Sequence, residues 1–236
     1  MIKIKPDYLN LFVVIVLLLG NFLIKEIDNL TLRGFAGVLF YFILAFIYSK
    51  ICKSTMLVKF QLRHKFNINI ILGLIGIYLI GYSTGNLGSI LLNEEIGSIV
   101  YTNPFIILVL QIICLPFVEE LLFRRCILVN SVNRYGERKA LWISSIIFTI
   151  AHFFTSSGLL FVFMGSMFLG YLYLKTNSFY VVLLYHILLN VGALFLSPIV
   201  NEILIGVSRD LVTFFLTGGL IIGIIFSYLF FRRFKI

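Results

Sequence analysis

The sequence predicts an all-α, polytopic membrane protein with about eight transmembrane helices and both termini in the cytoplasm. Of its 236 residues, 61% are hydrophobic and only 12% are charged, and the mean hydropathy is +1.08. Apolar runs of membrane-spanning length recur along the chain. The basic residues fall in alternate connections between those runs, as the positive-inside rule requires. No soluble domain, internal repeat or low-complexity run interrupts this pattern, so residues 1–236 read as a single integral membrane domain.

Taken in order, the predicted spans are Leu9–Ile24, Gly34–Tyr48, Ile68–Ser83, Pro104–Leu128, Ala140–Phe154, Leu159–Leu174, Phe179–Leu196 and Val212–Phe231. Lys3 and Lys5 precede the first run without a small-residue cleavage pattern, which reads as a retained signal anchor. The connection after the second span holds Lys50, Lys53, Lys59, Arg63 and Lys65 with no acid. Arg134, Arg138 and Lys139 follow the fourth span, Lys175 the sixth, and Arg232, Arg233 and Lys235 the eighth. The alternate connections are balanced or acidic, with Glu94 and Glu95 unopposed between the third and fourth spans. In that same outer connection, Ile90, Leu91, Leu92 and Ile96 predict a separate interfacial helix. Gly165, Ser166 and Gly170 give the sixth span a small face for close packing. The net charge of +9 is therefore a topology signal, and it does not indicate nucleic-acid binding. Cys52, Cys114 and Cys126 lack paired spacing and read as free thiols or packing residues.

Within the apolar runs a few polar residues stand out. Glu119, Glu120 and Arg124 lie in the fourth span, His152 in the fifth, and His186 and Asn190 in the seventh. A charge at the centre of a membrane helix costs roughly 2.5–3.5 kcal/mol on insertion, so such residues face partners or a wet cavity. At 1.5 Å rise per residue, Glu119 lies roughly 13 Å, His186 roughly 10–12 Å and His152 roughly 15–18 Å from the cytoplasmic ends of their spans. Asn190 is one turn deeper than His186. All four positions thus fall between the cytoplasmic boundary and about the midplane. Glu120 and Arg124, at i and i+4, can pair on one face, which leaves Glu119, rotated by about 100°, to point elsewhere. His186 and Asn190 stack on one face by the same spacing. Phe148 precedes His152 by one turn, and Pro116 precedes Glu120 by one turn, where it predicts a kink.

This set suits peptide hydrolysis. A poorly solvated carboxylate is a better base than a solvated one, and a neighbouring histidine can help to orient and deprotonate water. A second histidine and an asparagine amide can donate to the oxyanion of a tetrahedral intermediate, each typically contributing about 3–4 kcal/mol. No serine or cysteine has a comparable base at the same depth. Glu119, His152 and His186 are also a donor set that zinc accepts. Against zinc, HExxH is absent and an amide at Asn190 suits hydrogen bonding better than ligation.

The three motifs Glu119-Glu120-Leu-Leu-Phe-Arg124, Phe148-Thr-Ile-Ala-His152 and His186-Ile-Leu-Leu-Asn190 occur in order in three spans. The chain here resembles the CPBP intramembrane protease family, also called the Abi or CAAX-protease-like family, over roughly residues 104–196. The resemblance implies an eight-helix membrane endopeptidase with a cytosol-facing site that acts on a membrane-associated peptide or protein. It further implies that Glu119 and His152 activate water, that His186 and Asn190 form the oxyanion hole, and that Glu120 and Arg124 support them. Its bacterial members are linked to bacteriocin maturation, self-immunity and peptide-pheromone processing, and the Ile-, Lys- and Asn-rich chain looks like that branch. The rival expectation is a non-catalytic membrane immunity or interaction protein that binds a peptide or partner through the same polar cavity. A transporter is disfavoured because the two halves do not repeat in inverted topology.

Overall fold

A computed structural model of the chain describes residues 6–52, 68–92, 105–155 and 158–233. All of the regular elements among them are helical. They are α1 (Pro6–Lys25), α2 (Leu30–Cys52), α3 (Ile68–Leu91), α4 (Phe105–Val109), α5 (Leu115–Glu120), α6 (Val129–Ala151), α7 (Leu159–Thr176), α8 (Phe179–Val191), α9 (Ser197–Leu204) and α10 (Arg209–Arg233). π-Helical turns at Leu110–Cys114, Leu121–Leu128 and Gly192–Leu196 join some of these without a break. Among the described residues, seven helical runs are long and apolar enough to cross a membrane, and one of them, Phe105–Ala151, is 47 residues long.

That long run is two arms. At Gly136 the backbone leaves helical geometry (φ 78°, ψ 166°), a conformation essentially reserved for glycine. The chain then doubles back, because the Ser144 hydroxyl donates to the Phe123 carbonyl at 3.1 Å. Those two residues would be about 30 Å apart along one straight helix. The fourth and fifth spans expected from the sequence are these two arms, so the described helices accommodate eight crossings. The connection carrying Lys53, Lys59, Arg63 and Lys65 lies outside the described residues, as do Lys3, Lys5, Glu94, Glu95, Ile96 and Lys235.

One expected element differs. Ile90 and Leu91 extend α3 rather than forming a separate interfacial helix, and the Leu92 amide donates to the Gly88 carbonyl at 3.0 Å, completing that turn. Past the predicted end at Ser83 the polar residues bond back to the helix: the Thr84 hydroxyl donates to the Ile80 carbonyl at 2.7 Å and the Asn86 side-chain amide to the Tyr82 carbonyl at 3.0 Å.

The described residues fall into two compact units. The first contains α1, α2, α4–α7 and α8 as far as His186. Its core is assembled from helical stripes: Leu9, Val13 and Leu17 recur every fourth residue in α1, and Tyr41, Leu44, Ala45 and Tyr48 follow i, i+3, i+4, i+7 in α2. The other face of α1, with Leu11, Phe12, Ile15, Leu19 and Leu23, is exposed, as a lipid-facing helix should be. Amides supplement packing: the Tyr48 hydroxyl donates to Asn10 Oδ1 at 3.1 Å and accepts from Asn130 Nδ2 at 3.1 Å. Such bonds between spans contribute about 0.6–2 kcal/mol each in a bilayer.

The second unit contains α3, the rest of α8, α9 and α10. Here α3 and α10 cross backbone to backbone. A Cβ on Gly76 would lie 2.8 Å from the Ser227 amide nitrogen and 2.9 Å from the Gly223 carbonyl oxygen. Without a hydrophobic driving force between helices in lipid, such close approach is what holds them. Tyr78 shares a 2.8 Å hydrogen bond with Ser197 Oγ, and Tyr82 donates to Asn201 Oδ1 at 2.6 Å.

Candidate active site

The Glu-Glu stretch sits at the end of α5, between two π-helical turns. Proline at position 116 removes a backbone donor near the start of α5. π-Helical turns at Leu110–Cys114 and Leu121–Leu128 widen the helix on both sides of it. π-Turns of this kind are frequent at functional sites, because each extra residue re-aims the side chains that follow it.

Glu119, Glu120 and Arg124 are all buried. Arg124 Nε lies 3.1 Å from Glu120 Oε2, the i,i+4 pair the spacing predicts. Its Nη2 also reaches the Ser166 hydroxyl at 3.3 Å and carbonyl at 3.4 Å on α7. The guanidinium carbon stands 4.8 Å from the centroid of the Phe148 ring. The small face of α7 thus has a second use besides close packing, and the sequence carried no signal for it beyond the residue's size.

Glu119 faces both histidines. His152 Nε2 is 3.6 Å from Glu119 Oε1, and His186 Nε2 is 3.7 Å from Glu119 Oε2. On the far side of its ring, His186 Nδ1 lies 2.7 Å from Glu120 Oε1. The two acids, which sit about 100° apart around the helix, are therefore bridged by one imidazole. With Arg124 on its other oxygen, Glu120 accepts a hydrogen bond from His186 Nδ1.

His152 is held differently. α6 ends at Ala151, and His152 is its C-terminal cap (φ −96°, ψ 8°). Its Nδ1 lies 2.9 Å from the Phe148 carbonyl oxygen, which can only accept, so Nδ1 carries the hydrogen. The neutral ring then presents an unprotonated Nε2 toward Glu119. Phe148 stacks on this ring at a centroid distance of 4.4 Å and meets the edge of Phe123 at 4.7 Å. The Phe148–His152 spacing noted in the sequence is thus a direct aromatic contact that fixes the imidazole plane.

The structure consequently brings together Glu119, Glu120, Arg124, His152 and His186. Asn190 follows His186 by one turn in α8, and helical spacing alone puts it on the same face. Pairing Glu120 with Arg124 limits the desolvation cost of burying both charges. The nitrogen–oxygen separations of 3.6 and 3.7 Å lie within a few tenths of an ångström of the about 3.4 Å between neighbouring donors of a tetrahedral zinc site. No group of three or more His, Cys, Asp or Glu among the described residues is placed to hold a metal ion.

Residues 101–192 match the family model described as type II CAAX prenyl endopeptidase Rce1-like, a segment that contains every residue of the cluster together with Asn190. No curated protein and no solved structure matches the chain. The family implies a membrane endopeptidase, and the seven long apolar runs are those of an integral, multi-pass membrane protein. Over residues 101–192 the chain is thus similar to the Rce1-like type II CAAX prenyl endopeptidases of the CPBP family.

Proposed function

We propose that the protein is a glutamate-dependent intramembrane endopeptidase that hydrolyses a peptide bond of a membrane-associated peptide or protein. The observation that carries this reading is the buried Glu119 carboxylate, flanked by the Nε2 atoms of two histidines at 3.6 and 3.7 Å. These separations are too long for direct hydrogen bonds and suit a water held between the groups. A water seated against Glu119 Oε1 and His152 Nε2 would donate one proton to each and turn a lone pair outward.

In the proposed reaction that lone pair attacks the scissile carbonyl carbon, and the water proton passes to the Glu119–His152 pair. Negative charge develops on the former carbonyl oxygen, where His186 Nε2–H and the Asn190 amide would donate. Collapse of the tetrahedral intermediate breaks the carbon–nitrogen bond, and the proton held by the pair passes to the leaving amine. Glu120 and Arg124 keep His186 oriented. No step passes through a metal.

Glu119→Gln, in protein that still inserts and folds, is expected to lower turnover of a fluorogenic farnesylated CAAX peptide by at least about 100-fold. Wild-type turnover in that variant would sink the mechanism. Asn190→Ala is expected to lower kcat by about 100- to 1,000-fold while leaving KM nearly unchanged. Activity assayed after chelation, with metal content quantified, tests the metal-free version: loss on chelation and recovery with zinc overturns it. For the natural substrate, membrane peptidomes of wild-type and Glu119→Gln cells would be compared. Accumulation of an uncleaved secreted-peptide precursor in the variant would support a role in bacteriocin or pheromone maturation. The catalytic side would open toward the cytoplasm if the charge alternation sets the topology.

A further inference from the structure

His152 has no helix beyond it to hold it in place. A helix end leaves its last four carbonyls without intrahelical partners, and in an apolar setting each needs a donor. At the end of α6 every one has been found. Phe148 O takes the His152 ring at 2.9 Å. Thr149 O takes the His152 amide at 3.0 Å, and Ile150 O takes the Phe153 amide at 3.1 Å. His152 O takes the Thr155 amide at 3.0 Å and the Thr155 hydroxyl at 2.8 Å. All of these donors are local. The exception is Ala151 O, the carbonyl of the peptide bond leading into His152. It accepts from Asn21 Nδ2 of α1 at 2.7 Å, across 130 residues of sequence.

Asn21 is itself fixed. The same Nδ2 reaches the Tyr41 hydroxyl of α2 at 3.1 Å, and Tyr41 is buried. The next residue, Phe22, meets the edge of Phe154 with ring centroids 5.6 Å apart. Two consecutive residues of α1 therefore grip the chain immediately before and two residues after His152. Asn21 lies outside the segment matched by the family model, and its signal in the sequence is slight: an isolated amide in an apolar run.

We propose that Asn21 is a positioning residue for His152, setting the orientation of the imidazole toward Glu119 through the Ala151 carbonyl. The proposal rests on the reading of Glu119 and His152 as the water-activating pair. A misplacement of about 1 Å in such a pair can cost about 100-fold in rate. The contact belongs to orientation and not to substrate binding, so its loss should appear in kcat and not in KM.

The test uses the full chain in lipid nanodiscs with 15N-labelled histidine. The sequence has three histidines, and the His152 ring signals are identified by their loss in His152→Ala. Asn21→Leu, close in size but without a donor, is expected to shift the His152 ring signals and leave those of His186 in place. With the farnesylated CAAX peptide, kcat should fall about tenfold or more at nearly constant KM. Asn21→Ser, which keeps one donor, should recover part of both effects. Asn10→Leu, which breaks the amide contact to Tyr48, controls for general loosening of the bundle. Unchanged His152 signals and kcat in Asn21→Leu would overturn the proposal. So would equal effects in Asn10→Leu, since both contacts would then be merely structural. If Asn21→Leu does not fold, Asn21→Ser and Tyr41→Phe carry the same comparison. Wild-type turnover by His152→Ala would refute the water-activation reading itself, while the spectra would still report whether Asn21 orients the ring.

Discussion

His186 touches both acids, Glu120 through Nδ1 at 2.7 Å and Glu119 from Nε2 at 3.7 Å. That double contact distinguishes two carboxylates that are adjacent in sequence. Glu120 is committed to Arg124 and His186, whereas Glu119 lies 3.6 and 3.7 Å from the two histidines, with no short bond to either. Removing one partner of a buried ion pair typically costs about 3–5 kcal/mol, because a charge is stranded. Arg124→Leu and Glu120→Leu are therefore each expected to reduce the yield of folded protein sharply. The double substitution, leaving no stranded charge from the pair, should recover much of the stability. Midpoints of denaturant titration in detergent, arranged as a double-mutant cycle, would show it; simple additivity would contradict the pairing. At this scale the sequence was legible where spacing alone decides contact, as for Glu120–Arg124 and Phe148–His152. It was not legible where a contact depends on how separate helices meet, as for Arg124 with Ser166 or Asn21 with Ala151.

The helices themselves read clearly from hydropathy, but their irregularities did not. Pro116 was visible, yet whether a helix answers proline with a kink or with π-turns depends on what its neighbours offer. Here Ser144 on the returning arm supplies a donor for the Phe123 carbonyl within the π-turn. The doubling back at Gly136 was foreshadowed by the cluster Arg134, Arg138 and Lys139, although its φ of 78° could not be read from the sequence. A Cβ there would meet nothing within 4 Å, so Gly136→Ala should cost only backbone strain, about 1–3 kcal/mol. A lowered thermal midpoint with retained specific activity of the folded fraction is expected. Gly76→Leu is different, because its Cβ would fall within 3 Å of backbone atoms of α10. That substitution should open the α3–α10 crossing, seen as faster proteolysis of the second unit.

For the whole molecule, the helical multi-pass architecture was legible in composition and the resemblance to the Rce1-like family in three short motifs, while sidedness rests on charge alone. Reporter tags at both ends are expected to be accessible only from the cytoplasm, and tag protection assays on sealed cells and inverted vesicles would check this. The Glu120–Arg124 pair has a further consequence for how the chain is made. Helices leave the ribosome in order, and His186 emerges 66 residues after Glu120. During that interval the segment bearing both acids must enter the bilayer without His186. A cation four residues along the same helix neutralises one acid before any partner helix exists, which reduces the cost of insertion. Arg124 is thus expected to act first as an escort during biogenesis, and only later as the anchor of a finished site.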